Sequence, residues 1–523
     1  MIIKIPKGTA IAFRNPQILC VDTKRVTLER ALTNLYMKIF AQGAPLTLAY
    51  KKEHDIDSLE GFVKNLEDDG LITGASENLD AIEDWLRSSL LDMIYRGNMV
   101  KEKVATLRPM HLLSFRVQNK KYCRDYNTSD QLYVMLRHNK EVLEGLSRYL
   151  SKGWDKDAND IVSSVDLDVD TAGILFLTKN MKERKGIVTA IDNTKPFLVQ
   201  QTEIFNDDIR RLLMYQDKLP RSVFIDYLKI LCGFHLALYT MKLVYLLPKM
   251  VEAGTKNVED GWSMVVDVTD NLDSLVSKYA CKDAEIMANS FRDYVRATYK
   301  INIMQKSLAN DNKDSSIENA LDYIHNHLDE YKTEFKVILN SLIRDNELDK
   351  ETDDETSLND MLQYFDETDY FNKYVYIMEK SNLGTSQYKY LREFLDAVSM
   401  KNSASRLLAD GRSRRHPRRG ALGSKLLETL VQILVLNDNG HGGYYSESLS
   451  ISELAARIRR RYGLIIDGIR EPRFANADVE TNEAFKENMD AFKDKLRQIG
   501  FYSDLSDAYI LQKIRPRYNF DEK

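Results

Sequence analysis

VFIDYLKILCGFHLALYTMKLVYLL, residues 223–247, is the most apolar stretch of the chain, and its reading separates a membrane span from the buried helix of a helical body. Asp226, Lys229, His235 and Lys242 interrupt it and leave no charge-free run long enough to cross a bilayer, so it reads as a buried helix. Around it, 523 residues with 43% hydrophobic and 29% charged side chains can bury ample core and do not have the composition of a disordered chain. That length suits roughly two to four folded units. Gly (23) and Pro (10) are both sparse, which argues against a turn-dense all-β sandwich or barrel and for long helices.

Helical periodicity recurs on both sides of this stretch. Leu28, Leu32, Leu35, Tyr36, Ile39 and Phe40 define one apolar face, and Leu132, Leu136, Leu143, Leu146 and Leu150 define another. The set Leu321, Ile324, Leu328, Tyr331, Phe335, Ile338 and Leu342 predicts one long amphipathic helix over residues 317–342. Strand patterns are few. Ile18 to Val21 is one candidate, Trp262 to Val268 another, and the alternation of Val165, Leu167 and Val169 with Asp166, Asp168 and Asp170, followed by Ile174 to Leu177, predicts two more. The expected fold class is therefore mainly α: a multi-domain helical body with a small embedded β-sheet and a C-terminal winged-helix-like domain.

Charge marks the boundaries. Residues 345–360 hold eight acids against one lysine, the signature of an exposed linker, and residues 403–423 carry a net +5 from Arg406, Arg412, Arg414, Arg415, Arg418 and Arg419 against Asp410. The expected division is a helical domain over 1–160, a mixed helical domain with short strands over 161–344, an acidic linker, helical segment and basic loop over 345–423, and a winged-helix-like domain over 424–523. The whole chain has a net charge of −5, but from Lys401 onward 22 basic residues face 17 acidic ones, so residues 1–400 carry −10. A uniformly basic nucleic-acid coat is excluded, and a local basic surface is not. Cys20, Cys123, Cys232 and Cys281 are too scattered for a zinc knuckle or redox pair, and the N-terminus lacks the apolar core of a signal peptide, so a reducing, cytoplasmic setting is expected.

The most informative constellation is C-terminal. Ser424 to Leu436 reads as a helix; Ser450 and Glu453 open a second with a capping box, and Gly463 ends it. A third helix, from about Asn482 to Ile499, places Phe485, Met489, Phe492, Leu496 and Ile499 on one face and stops at Gly500. Phe501 to Leu505 and Tyr509 to Ile514 can then pair as a hairpin. Three helices and a hairpin is the order of a winged helix, whose last helix commonly enters a DNA groove. Candidate phosphate contacts are Arg457, Arg460, Arg461, Lys486, Lys493, Arg497, Lys513, Arg515 and Arg517, joined by Arg412, Arg414, Arg415, Arg418 and Arg419 of the basic loop. Winged helices also serve as protein interaction modules, and Glu483, Glu487, Asp490 and Asp494 dilute the field of the third helix.

Catalytic signals are weak by comparison. The chain has no GxxxxGK[ST], dinucleotide fingerprint, GxSxG or HExxH motif. His325 and His327, two positions apart on a helix, diverge and cannot share a metal, and His235 inside the apolar helix reads as a hydrogen-bonded core histidine. Asp166, Asp168 and Asp170 on one strand face, with Glu183 and Lys185 nearby, would suit a divalent cation and a nuclease, although a solvent-facing row opposite a buried face accounts for them as well. Neither a catalytic residue, a metal nor a cofactor is assigned.

FRNPQILCVDTKRVTLERALTNLY (13–36), GSKLLETLVQILVLN (423–437) and LSISELAARIRRRYGLIID (449–467) resemble large accessory proteins of bacterial phage-defence operons. The resemblance implies a subunit working beside separate methyltransferase, helicase, ATPase or nuclease proteins. The expected function is thus a non-catalytic DNA-binding or scaffolding subunit of a restriction-like defence assembly, with DNA and other subunits as partners. The alternatives are a metal-dependent nuclease using Asp166, Asp168 and Asp170, or a kleisin-like adaptor of a chromosome-organising ATPase.

Overall fold

A computed structural model of the chain describes all residues except 1–2, 4, 7–8, 45, 49–55, 69, 71, 99, 163–164, 182, 186–193, 349–357, 401, 410–416, 441–442, 503–512 and 521–523. Residues 223–247 lie within a 33-residue helix, Arg221–Ala253. It is apolar on nearly every face, which requires protein on every side. By length and composition it could cross a membrane, yet 94% of its most apolar window is buried in the protein. Its polar residues are each partnered: Lys229 with Asp226 and Glu29, His235 with Asp208, and Lys242 with Asp260.

Helices surround it: Leu28–Ala41, Val199–Leu213, Leu275–Asn310, Ile317–Asn326, Asn382–Ser399 and Ser424–Leu434 all pack on this one element. The fold is mainly α, as the periodicities require, and its β-structure among the described residues is confined to two-stranded ladders. Residues 262–268 do supply a strand, Met264–Val265, which pairs in parallel with Leu464–Ile465, while Asp267 bridges Ala421. That small sheet joins the middle of the chain to its C-terminal region. Gly420 makes the close approach possible, because a Cβ there would lie 2.3 Å from the Val265 carbonyl oxygen.

Three expectations are corrected. Residues 165–177 do not form strands; Val169–Thr178 is a helix, because the Asp168 carboxylate caps it by accepting from the Thr171 amide, 2.9 Å away. Ile18 to Val21 is buried but belongs to no strand. Residues 317–342 are not one helix: Ile317–Asn326 ends at His327, a short 3-10 turn follows, and Lys332–Leu348 begins anew. A periodic apolar stripe survives such a break, since a single turn of tighter helix barely displaces it.

In the C-terminal region the helices are Ser424–Leu434, Ile451–Tyr462 and Val479–Gln498. Ser450 caps the second by accepting from the Glu453 amide, while the Glu453 carboxylate goes to Arg457 instead of reaching back. Lys513–Ile514 pairs antiparallel with Leu449–Ser450, and the Arg515 amide donates to the Phe501 carbonyl; most of the expected hairpin falls on residues 503–512, outside those described.

Gly463 and Gly500, the two helix stops, both have left-handed backbones, with φ of 77° and 79°. A Cβ at Gly463 would meet the Trp262 ring at 2.8 Å, whereas at Gly500 it would meet nothing. Gly500→Ala should therefore cost about 1–2 kcal/mol for the strained backbone alone, and Gly463→Ala distinctly more. Urea unfolding of the two variants checks this, and equal losses would show that the Trp262 contact yields freely.

Candidate functional site

Helix Val199–Leu213 buries Phe205, Asp208, Ile209 and Leu212 on one stripe, so one carboxylate is carried into the core with the apolar side chains. Asp208 has no solvent exposure, and each of its oxygens is occupied. Oδ1 accepts from the Arg461 guanidinium at 2.5 Å, and Oδ2 accepts from the Tyr462 hydroxyl and His235 Nε2, both at 2.8 Å. On its other side His235 Nδ1 meets Gln201 Nε2 at 2.9 Å, so a neutral ring that donates to Asp208 and accepts from Gln201 satisfies both contacts. Asp207, next in the chain, takes Arg211 at 2.8 Å, Arg461 at 2.6 Å and the Tyr444 hydroxyl at 2.5 Å.

Burial acts against both carboxylates, but the cations overcome it. Arg211 and Arg461 hold Asp207 at about 2, and Arg461 with His235 keeps Asp208 below its ordinary value. Burial lowers His235 despite Asp208, and it lowers His111, capping the Leu112–Arg116 turn, to about 3. His235 is thus the hydrogen-bonded core histidine its position implied. The cluster has the donors and acceptors of a proton relay, yet with His235 and Asp208 both unexposed it works as an internal clamp between three helices.

The basic residues divide into two populations. Arg418 pairs with Asp396 at 2.5 Å, and Arg419 is buried between Asp267 (2.8 Å) and Asp270 (3.0 Å). Arg457 holds Glu453, Glu447 and the carbonyl of Leu434; Arg461 is in the cluster; Arg517 binds Glu428 at 2.5 Å and lies over the Phe501 ring. Arg497 pairs with Asp494, and Lys493 sits over the Tyr502 ring. Arg460, Lys486, Lys513 and Arg515 are exposed, while Arg412, Arg414 and Arg415 lie outside the described residues. The solvent face of helix Val479–Gln498 carries Glu480, Glu483, Glu487, Asp490 and Asp494 against Lys486 and Arg497, so its field is acidic.

The acidic trio does not converge. Asp168 is a helix cap and Asp170 accepts from the Trp85 indole at 2.9 Å, so the strand face that would have aligned them with Asp166 does not exist. His327 faces Asp322 and Glu330 in an exposed ion-pair setting. Among the described residues no group of three or more His, Cys, Asp or Glu side chains is placed to hold a metal ion. Missing from the sequence reading were Asp207 and Asp208; the available signal was a carboxylate at the buried position of an amphipathic stripe.

Fold and charge layout define a helical protein whose core is pinned by buried ions and whose remaining cations stand at the surface. The chain belongs to the family of methylation-associated defense system protein MAD7, whose family model matches residues 9–518. It is therefore a component of a defence system, which bears out the resemblance to phage-defence operon proteins. Neither the comparison with curated proteins nor that with solved structures gives a match.

Replacing Arg461 by Met leaves Asp208 buried without its main counter-charge and should cost about 3–5 kcal/mol; adding Asp208→Asn should restore much of that. Denaturant titration of both variants measures it, and a double variant less stable than Arg461→Met would refute the pairing.

A second expectation concerns pH. His235 and His111 are neutral in the fold and bind protons on unfolding once the pH drops below the ordinary histidine value of 6.5, so stability must fall with pH from there. His111, lowered to about 3, contributes a loss of about 2 kcal/mol by about pH 5, and His235 acts in the same direction. Asp207, depressed to about 2, adds a further loss only as the pH falls below the ordinary carboxylate value of 3.8. Melting temperatures across this range test the order, and a flat profile between neutrality and about pH 5 would contradict it.

Proposed function

We propose that this defence-system component is a non-catalytic DNA-contacting subunit, and that it grips the DNA backbone chiefly through the arginine-bearing segment between Ala409 and Pro417. The observation that carries this reading is the base of that segment. Leu408–Ala409 and Arg419–Gly420 form a buried antiparallel ladder, and Arg419 ties it to Asp267 and Asp270. Arg412, Arg414 and Arg415 thus fall between two chain positions that are fixed in the body, which suits phosphate contacts that position without reading sequence.

Three helices in residues 424–514, with Leu449–Ser450 paired to Lys513–Ile514 beyond the third, support a winged-helix arrangement, to which Leu436–Asp438, Tyr444–Ser446 and Leu464–Ile465 add further short strands. Its third helix is a poor backbone ligand because its exposed face is acidic. In this reading the domain contributes to binding through Lys513 and Arg515 rather than through that helix, and it docks beside the other subunits of the system in the cytoplasm. The capping role of Asp168 and the sealed surroundings of His235 favour binding over catalysis.

Fluorescence anisotropy with labelled duplexes of unrelated sequence tests the proposal. Affinity should fall steeply and equally for all sequences as salt rises, and Arg414→Glu with Arg415→Glu should weaken binding roughly tenfold or more and flatten the salt slope by about 2. Absence of binding at low salt, or binding indifferent to salt, would overturn it.

A further inference from the structure

Strands Leu91–Ile94 and Lys103–Leu107 pair antiparallel, and the chain from Val117 runs beside the second: Thr106 bridges Gln118, and the Asn119 amide donates to the Ala105 carbonyl at 2.8 Å. This brings Tyr95, at the end of the first strand, against Tyr122, with ring centroids 6.3 Å apart and the planes nearly perpendicular. Tyr95 is 56% exposed, so its edge-on neighbour leaves much of the ring open to solvent. The Lys121 ammonium lies 5.2 Å from the Tyr122 ring centre, and farther along the same segment Lys24 stands over the rings of Tyr126 and Tyr390 at 5.4 and 5.3 Å. Tyr95 and Tyr126 hold left-handed backbone, with φ of 57° and 51°; that conformation is costly for a ring-bearing residue, and such strain gathers at binding sites.

Residues 91–107 and 117–127 carry six cations against three acids. Every acid is already committed: Asp92 to Arg30 at 2.7 Å, Glu102 to Arg87 at 2.5 Å, and Asp125 to the Ser129 amide at 2.9 Å. None of the cations is in an ion pair among the described residues, and Lys101, Lys120, Lys121 and Arg124 are exposed. A positive field whose own carboxylates are all occupied suits a polyanion, and lysine, which dominates here, is a residue that protein interfaces disfavour. An open tyrosine ring adds little for duplex DNA, whose base faces are stacked inside the helix, but it is a platform for unstacked bases.

We infer that this face binds single-stranded nucleic acid, stacking a base on Tyr95 and holding the flanking phosphates with Lys101, Lys121 and Arg124. The inference goes beyond the duplex contact proposed for residues 409–417, because it adds a second surface, built on paired strands, and a different state of the nucleic acid. Stacking and phosphate neutralisation do not use the 2′-hydroxyl, so DNA and RNA strands are equivalent ligands here.

The test is anisotropy of the full-length protein with labelled oligothymidylate and oligouridylate of about 15 nucleotides, and with a labelled duplex, across a salt series. Tyr95→Ala should weaken binding of both single strands roughly tenfold with little change in salt slope, while Tyr95→Phe, which keeps the ring, stays within about twofold of the wild type. Lys101→Gln, Lys121→Gln and Arg124→Gln together should also weaken it and lower the single-strand salt slope by about 2. Unchanged melting temperatures report that each variant folds. Single-strand binding by wild-type protein that survives both Tyr95→Ala and the triple variant overturns the inference, as does a wild-type protein that binds neither oligomer, or one that binds phosphatidylserine vesicles in their place. Those results leave the duplex reading standing, and loss of duplex binding in Arg414→Glu with Arg415→Glu, with single-strand binding kept, supports two separate surfaces.

Discussion

A carboxylate without solvent exposure, Asp208, governs this structure. Stripping water from a charge is expensive, and the cost is offset only when geometry fills every acceptor site. Arg461, Tyr462 and His235 do so from two different helices, while Asp208 itself comes from a third. None of the three can move alone without stranding an ion in the core. The C-terminal region is consequently fixed to the central helix by electrostatics as well as by apolar packing, and the Met264–Val265 ladder with Leu464–Ile465 fixes it a second time.

This clamp determines what the arginines can do. In the sequence the basic residues of the C-terminal region look equivalent, yet Arg419, Arg457 and Arg461 are components of the fold, each answering carboxylates of this chain. Their guanidinium forks suit that task better than lysine would, because one planar group with several donors meets two carboxylates at once. Surface cations such as Arg392 and Lys282 have no such obligation. Net charge by region therefore overstates the field a ligand would meet.

Residues 223–247 and the leucine periodicities made the mainly helical architecture legible, because a helix apolar on all faces has one stable environment and amphipathic stripes have one facing. The helix stops at Gly463 and Gly500 were equally legible, since left-handed backbone favours glycine. The run from Val165 to Leu177 misled because alternation of valine and aspartate has the period of a strand, while the capping chemistry of Asp168 determines the local outcome. Asp208 was hidden because its partners lie 27 and more than 250 positions away.

The two populations of cations also answer differently to ionic strength. Salt screens exposed charges over about 10 Å at about 0.1 M but barely reaches a pair enclosed by protein. The clamp around Asp208 and the Arg419 anchor should persist at ionic strengths that screen the exposed charges of Arg392 and Lys282. Binding and folding are thus separated in this chain by burial rather than by residue type: arginines that hold the body together are shielded from the solvent conditions that tune its surface. A protein built this way can release a charged partner without loosening the scaffold that presents it.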